Sequence, residues 1–369
     1  MEDRAAVRLL FLSPPNLGMA FTLVPLAHAA SAAGHEVVFA TASSTVDLVA
    51  RAGLPVVDVA PGVDFAAMLP DAELAFRSNR PDAGPVTAAG PHFFRQYADA
   101  MTPGALRLAR WWRPDLVVHV PEGVTAHELG IPTVFHGLGV AHLPDLAEPW
   151  KRRGSARGPV PGQVAAIDVA PPSLSLVEPY GQRMRYVPFH GGAVLPDWLG
   201  SPPRRPRIVV TLGTVAPGIT GVDPLRRLLD AAGRVPAEFV FALGGTDPAT
   251  LGPLPGNVRA ERWIPLNAVL REASAVVHHG GAGSMLAALD AGLPQLVLPQ
   301  GADQFDNAEA LVKCGAGVQA EEPGAGELER LLDDGALRIA AQAVQAEMHA
   351  LPTPADVVAR TREWRDRFY

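Results

Sequence analysis

The stretch Val276 to Ala308, VVHHGGAGSMLAALDAGLPQLVLPQGADQFDNA, holds the most chemistry-bearing residue types at the closest spacing in the chain. Val276 and Val277 end an apolar run. His278, His279, Gly280, Gly281, Ala282, Gly283 and Ser284 follow as a turn without bulk, and Met285 to Ala291 resume helical composition. A turn of this kind opens a helix with unpaired N–H groups and the positive end of its dipole facing outward, where an anion can settle. Small residues let phosphate oxygens approach the backbone, so the expected ligand is a diphosphate. The polar loop beyond, with Asp303 and Gln304, offers groups for hydroxyls.

Such a turn must hang on parallel strands. Runs at Val7 to Leu12, Glu36 to Thr41, Leu116 to Val120 and Pro132 to Phe135 alternate with helix-like stretches such as Val24 to Ala33 and Val46 to Ala52. This is a βαβ series and implies an α/β fold with a parallel sheet. After the proline-rich Gly200 to Pro206 a second series begins, with strands at Arg207 to Thr211, Phe239 to Leu243, Val258 to Arg262, Ser274 to His278 and Gln295 to Leu298. The chain of 369 residues is long enough for two domains of roughly 100 to 200 residues each. We expect a first domain over 1–199, a second over 200–352, and a C-terminal helix over 353–369 that packs back on the first through Val357, Val358, Trp364 and Phe368. Ligands of open parallel sheets sit beyond the strands' C-terminal ends, so the two domains should face each other across a cleft. Pro61 to Pro103, rich in proline and glycine, and Trp150 to Pro172, with Lys151, Arg152, Arg153 and Arg157, read as long surface excursions.

Hydrophobic residues make up 48% of the chain, charged ones 19%, and the net charge is -7, so nucleic acid is a poor partner. No apolar run reaches the roughly 18 residues of a membrane span, and the start lacks a signal peptide's pattern, so a cytoplasmic protein is expected. The one cysteine, Cys314, excludes an internal disulfide and a thiolate metal cluster and reads as a packed small residue.

Four segments together resemble the GT-B, family 1 glycosyltransferases, and more narrowly the actinobacterial enzymes that decorate antibiotics with deoxysugars. They are Thr211-Leu212-Gly213-Thr214, Trp263-Ile264-Pro265, the turn His278 to Ser284, and Asp303-Gln304-Phe305. The resemblance extends through Val24-Pro25-Leu26-Ala27, Gly34-His35-Glu36-Val37, Pro171-Pro172-Ser173-Leu174 and Pro352-Thr353-Pro354. It implies two Rossmann-like domains and an inverting transfer from a dTDP- or UDP-sugar to a hydrophobic natural-product acceptor. It also implies roles. Trp263 stacks on the pyrimidine and the Ile264 backbone meets the base edge. His279 donates to the phosphate, with Gly281, Ala282, Gly283 and Ser284 beside it and Gly213 and Thr214 opposite; Asp303 and Gln304 hold the sugar. No Asp-x-Asp pair for a divalent metal is present, so helix dipole and imidazole would stabilise the leaving diphosphate, with no metal or other cofactor.

One position departs from that family. Its members carry a histidine as general base six residues before the proline of the Val-Pro-Leu-Ala segment, and here Met19 stands there. A thioether takes up no proton at neutral pH, though Met19 can line an apolar acceptor pocket. Val120 stands where several relatives carry a carboxylate. Glu122, two positions on and on the same side by strand alternation, is the candidate substitute base, while His119 should point oppositely. His136 is a candidate for the acceptor pocket, with a structural histidine as the alternative; His278, His28 and His35 read as structural. Met19 keeps three further readings open: a nucleotide-sugar-binding accessory protein without a base, an engineered base-less variant, and an active enzyme whose acceptor deprotonates easily. A sugar-nucleotide epimerase would need acid and base groups that cannot be assigned. The sequence leaves a homodimer or a partner protein open.

Overall fold

The structure, a computed structural model, describes residues 6–63, 89–120, 124–140, 162–175 and 181–367. Two parallel sheets organise it. The first has seven strands, β1 (Arg8–Leu12), β2 (Glu36–Thr41), β3 (Val56–Asp58), β4 (Leu116–His119), β5 (Thr133–His136), β6 (Gln163–Asp168) and β7 (Gln182–Arg183), in the order β3-β2-β1-β4-β5-β6-β7. The second has six, β8 (Arg207–Thr211), β9 (Glu238–Ala242), β10 (Val258–Glu261), β11 (Ala275–His278), β12 (Gln295–Val297) and β13 (Gly317–Gln319), in the order β10-β9-β8-β11-β12-β13. In each sheet the order reverses beside the first strand, between β1 and β4 and between β8 and β11. Those are the crevices where doubly wound sheets hold ligands.

The strands are unbroken apolar runs because helices cover both faces of a parallel sheet. β8, RIVVT, is buried at every position. Helix α1 (Leu17–Ala32) starts seven residues before the sequence's apolar pattern suggests. Asn16 caps it, its Oδ1 accepting from the Met19 N–H at 3.2 Å, and the helix runs on through Pro25. Its burial extends around the axis, from Ala20 and Phe21 to Ala27 and Ala30, which suits a helix packed on more than one side. The sheet of the first half lies on one side. On another lies α12 (Pro354–Val358); a further short helix, α13 (Thr361–Asp366), follows it.

That return of the chain's end is well anchored. Val357, Val358 and Trp364 are buried in one cluster with Leu9, Phe11 and Phe21, and the same cluster takes in Met285 and Leu286 of the second half. Thr361 Oγ1 accepts from His35 Nε2 at 3.2 Å, and His35 Nδ1 accepts from the Val7 N–H, so His35 is structural. Arg360 donates to Gln182 Oε1 at 2.6 Å. The terminal segment is thus two short helices broken at Ala359 and Arg360, rather than one.

Two expected surface excursions are corrected. The stretch Pro61 to Pro103 includes the first part of a long helix, α3 (Ala89–Trp112), which carries Pro103 inside it and passes so close to the loop after β3 that a Cβ on Gly104 would stand 1.8 Å from the Val59 carbonyl oxygen. The stretch Trp150 to Pro172 contains β6, hydrogen-bonded between β5 and β7. The basic cluster Lys151, Arg152, Arg153 and Arg157 lies outside the described residues, as does Phe368. Among the described residues no helix is long and apolar enough to cross a membrane.

Candidate functional site

The glycine turn forms at the second sheet's crevice. β11 ends at His278, whose ring is fixed from both sides: Nε2 donates to Gln295 Oε1 on β12 at 2.7 Å, and Nδ1 accepts from the Gly280 N–H at 3.0 Å. His278 is therefore a brace. Gly280 has φ +93°, and a Cβ there would come within 2.9 Å of the Gln304 carbonyl oxygen, so both conformation and space demand glycine. Gly281 occupies the N-cap of α8 (Ala282–Asp290), which leaves the first-turn N–H groups of Ala282, Gly283 and Ser284 without intrahelical partners. Ser284 is nearly buried at 9% exposure; Gly281, Ala282 and Gly283 are half-buried.

His279 turns the other way. Its imidazole lies between two loops, one following β8 and one following β11. A Cβ on Gly281 would stand 2.4 Å from its Nε2, and one on Gly213, at φ +72°, 2.7 Å from its Cε1. Two glycines from different strand ends thus make the slot that holds one ring. Its Nδ1 is buried without a hydrogen-bond partner. Burial first, and then the neighbouring His278, lowers its pKa to about 3, with the Thr211 carbonyl opposing, so the ring is neutral. Thr214, next to Gly213, is exposed.

The polar loop closes on the same turn. Asn307 Nδ2 donates to both the Gly280 carbonyl at 2.8 Å and Asp303 Oδ2 at 2.9 Å. Asp303 sits at the N-cap position of α9 (Gln304–Lys313) without a side-chain capping bond; burial pushes its carboxyl up, with Asn307 opposing. Gln304 is buried and its Oε1 accepts from the Gln300 N–H at 2.9 Å. Trp263, half-buried after β10, is approached by the connection between halves: a Cβ on Gly191 would lie 3.4 Å from its Cζ2 and 3.5 Å from Phe21 Cζ. Ile264 is buried among Leu266, Val269 and Val276.

The first half reaches this turn at points the sequence does not signal beyond a Gly-Leu-Gly run. A Cβ on Gly139 would stand 2.6 Å from the Ala282 Cβ. The Tyr186 hydroxyl donates to the Gly283 carbonyl at 3.4 Å. His190, next to Gly191 in the chain, is half-buried beside Asn267, and desolvation lowers its pKa to about 4, with Asn267 opposing.

On the first sheet, Met19 lies in the opening turn of α1, just beyond the β1 end of the crevice, half-buried and packed on the cluster shared by both halves. Val120 is buried in that cluster. Glu122 lies outside the described residues. His136 ends β5 fully buried, its Nδ1 2.7 Å from the Gly137 carbonyl and its Nε2 without a partner; burial lowers its pKa to about 4. His28 Nε2 meets the Ala52 carbonyl at 2.8 Å. Cys314 is partly buried, its thiol donating to the Leu311 carbonyl. Among the described residues no cluster of three or more His, Cys, Asp or Glu is arranged to hold a metal ion.

Five histidines, the buried His119, His136 and His278 and the half-buried His190 and His279, have pKa values lowered to about 3 or 4, all with desolvation as the first cause. Below about pH 6.5 the unfolded chain binds protons that the folded chain refuses, so stability is greatest above that pH and falls as pH drops toward 4. Each group contributes a slope of at most about 1.4 kcal/mol per pH unit. Thermal melts between pH 7.5 and pH 5 should therefore show a steep loss of Tm with acidification, and His278→Gln should make the slope shallower. A Tm flat over that interval would contradict the burial of these rings.

Comparison with known proteins gives concordant matches. The family model described as Erythromycin biosynthesis protein CIII-like, N-terminal domain, matches residues 28–213, and its C-terminal counterpart matches residues 226–364. Elloramycin glycosyltransferase ElmGT of Streptomyces olivaceus is 39% identical over 378 residues, covering 96% of each chain. Among solved structures, glycosyltransferase SnogD from Streptomyces nogalater aligns with a TM-score of 0.80 at 40% identity, covering 98% of this chain and 100% of that one. Glycosyltransferase VinC in complex with dTDP aligns with a TM-score of 0.79 at 29% identity, covering 98% and 100%.

Proposed function

The chain belongs to the erythromycin biosynthesis protein CIII-like family of glycosyltransferases, and on that premise we propose that it moves a deoxysugar from a dTDP- or UDP-sugar to a hydrophobic natural-product acceptor with inversion. The observation that carries this reading is the slot in which Gly213 and Gly281 hold the His279 ring beside the open N-terminus of α8. That arrangement offers several fixed dipoles to a diphosphate and needs no reorganisation when charge develops on it. The dTDP bound by VinC, a structure of the same fold, supports the same ligand here.

In the proposed reaction the acceptor's nucleophilic atom bonds to the anomeric carbon from the side opposite the diphosphate. The carbon–oxygen bond to the diphosphate breaks with its electron pair going to the leaving oxygen, where the N–H groups of Ala282, Gly283 and Ser284 and the His279 ring receive it without a metal ion. Trp263 supports the pyrimidine, the Ile264 backbone meets its edge, and Asp303 and Gln304 hold the sugar, with Thr214 closing from the β8 side. Met19 cannot take the acceptor's proton, so the acceptor is one that ionises readily, such as a phenol, thiol or hydroxylamine, and releases its proton to water, or the proton passes to Glu122, the carboxylate the sequence offers as substitute base. His136, buried at the end of β5, is the first-half candidate for lining the acceptor pocket.

Met19 also favours a second reading, a nucleotide-sugar-binding accessory protein that works beside an active partner or in a homodimer. Titration with dTDP separates the outcomes. Trp263→Ala should weaken binding by about 1–3 kcal/mol, the usual worth of a base stacked on an aromatic ring. Absence of binding of both dTDP and UDP to the unmodified protein would sink both readings; binding without transfer or donor hydrolysis across acidic acceptors would favour the second. The anomeric configuration of the product, read by NMR, tests inversion.

A further inference from the structure

β12 carries one polar side chain, Gln295, at a fully buried position. In the parallel register Gln295 pairs with Val276, so strand alternation puts its side chain on the same face as His278, two residues on. There its Oε1 lies 2.7 Å from His278 Nε2. Its amide nitrogen is buried without a hydrogen-bond partner. A buried donor left unsatisfied is costly, so a stronger demand must hold the amide with its oxygen toward the ring.

That demand comes from the backbone. The Gly280 N–H can only donate, and its 3.0 Å bond to His278 Nδ1 makes that nitrogen an acceptor. A neutral imidazole carries a single ring N–H, which is therefore at Nε2 and can bond only to an acceptor. Gln295 must present its oxygen there. The same glycine is held through its carbonyl, which accepts from Asn307 Nδ2 at 2.8 Å. Gly280, at φ +93° and directly before the N-cap of α8, is thus pinned through both of its backbone polar groups. Burial first lowers the His278 pKa to about 4, with Gln295 opposing, which keeps the ring neutral and Nδ1 unprotonated. A carboxylate at position 295 would also accept from Nε2, but it would favour imidazolium, whose Nδ1–H would face the Gly280 N–H, donor against donor.

We propose that Gln295 is a positioning residue for the nucleotide-sugar site: by offering an uncharged acceptor to His278 it fixes that ring's tautomer, and through the Gly280 N–H it fixes the turn that aims the first N–H groups of α8 at the diphosphate. The inference rests on the reading of that turn as the diphosphate site. Gln295 acts through His278 and touches no substrate. The other titratable groups bordering the turn are the neutral His279 on the same loop and Asp303 at the start of α9, joined to Gly280 through Asn307.

The test is dTDP affinity, by calorimetry on the full chain, for the unmodified protein and Gln295→Glu between pH 8.5 and 5.5. The readout is the ratio of the two affinities, in which the nucleotide's own titration cancels. At pH 8.5, where His278 is neutral in both, the ratio should be near one; by pH 5.5 the variant should bind about 10-fold more weakly or worse, in step with protonation of its His278. Adding His278→Gln to Gln295→Glu should make the ratio flat, because the group that titrates is gone. A flat ratio in Gln295→Glu, or a pH-dependent one in the double variant, overturns the proposal. Should Gln295→Glu fail to fold, nitrogen NMR of the unmodified protein saturated with dTDP decides: the His278 proton must be on Nε2, and a coupling across the hydrogen bond must join the Gly280 amide to Nδ1. A proton on Nδ1, or no such coupling, overturns it equally. An unmodified protein that binds neither dTDP nor UDP at any pH refutes the donor-site reading itself, whereas binding with a flat ratio refutes the role of Gln295 alone.

Discussion

Replacing Met19 with histidine should raise kcat with alcohol acceptors by about 10²- to 10⁴-fold, the range that a well-placed general acid or base contributes. The position is suited to it. Residue 19 lies in the first turn of α1, its own N–H tied to Asn16, at the crevice where β1 and β4 part. Imidazole there offers a nitrogen basic enough to take a proton near neutral pH, which the far weaker thioether sulfur cannot do. The helix N-terminus should hold the new ring's pKa somewhat low, so the gain appears with an activity limb that falls as pH drops through it. Phenolic acceptors should gain far less, since they surrender their proton without help. The measurement is the kcat ratio of the two proteins across both acceptor types. No gain with alcohols would count against a simple loss of the base and against Met19 as an engineered substitution, whereas an unmodified protein that binds dTDP and transfers to nothing would point to the accessory reading.

The second large effect is in the opposite direction. His279→Ala should lower kcat by about 10²- to 10³-fold, the usual consequence of removing one donor aimed at developing negative charge. The substitution also empties the slot between Gly213 and Gly281, so the two loops lose the ring that both close upon. Because burial holds His279 neutral, the contribution is a dipole's rather than a cation's, and the residual rate should show no new pH dependence between about pH 6 and 8. Paired measurements of dTDP affinity and kcat test this. Unchanged values of both would remove His279 from the proposed machinery, while a change in affinity alone would make it a ground-state contact.

What the sequence conveyed and what it did not follow from distance along the chain. β8 matches its apolar run residue for residue, since a strand buried on both faces writes itself as Arg207 to Thr211 without interruption. The glycine turn is equally local: Gly280 and Gly281 answer to a backbone reversal and a helix start within a few residues. By contrast β6 and β13 are short or weakly apolar, and they become strands by pairing with β5 and β12. Helix α3 hides behind Pro103 and Gly104, poor helix formers kept there by close packing on Val59. At the site, the approach of Gly139 to Ala282 joins residues from opposite halves, and no periodicity announces such a meeting. The sequence shows His119 as a strand-end residue facing away from position 120; its burial depends on packing that no local pattern announces, with Phe135 of the neighbouring strand against its ring.

The cluster that unites Leu9, Phe11 and Phe21 with Val357, Val358 and Trp364 sets an order of events during synthesis. The first sheet's strands are complete by Arg183, but one wall of their core is encoded far along the chain, by Val357, Val358 and Trp364. At elongation rates of about 5–20 residues per second, the interval between residue 199 and Trp364 is about 10 to 30 s. Throughout it α1 lacks that cover and presents an apolar flank to solvent or to a chaperone. A nascent first half is thus a waiting intermediate, and docking of the segment from Val357 to Trp364 is the step that releases it.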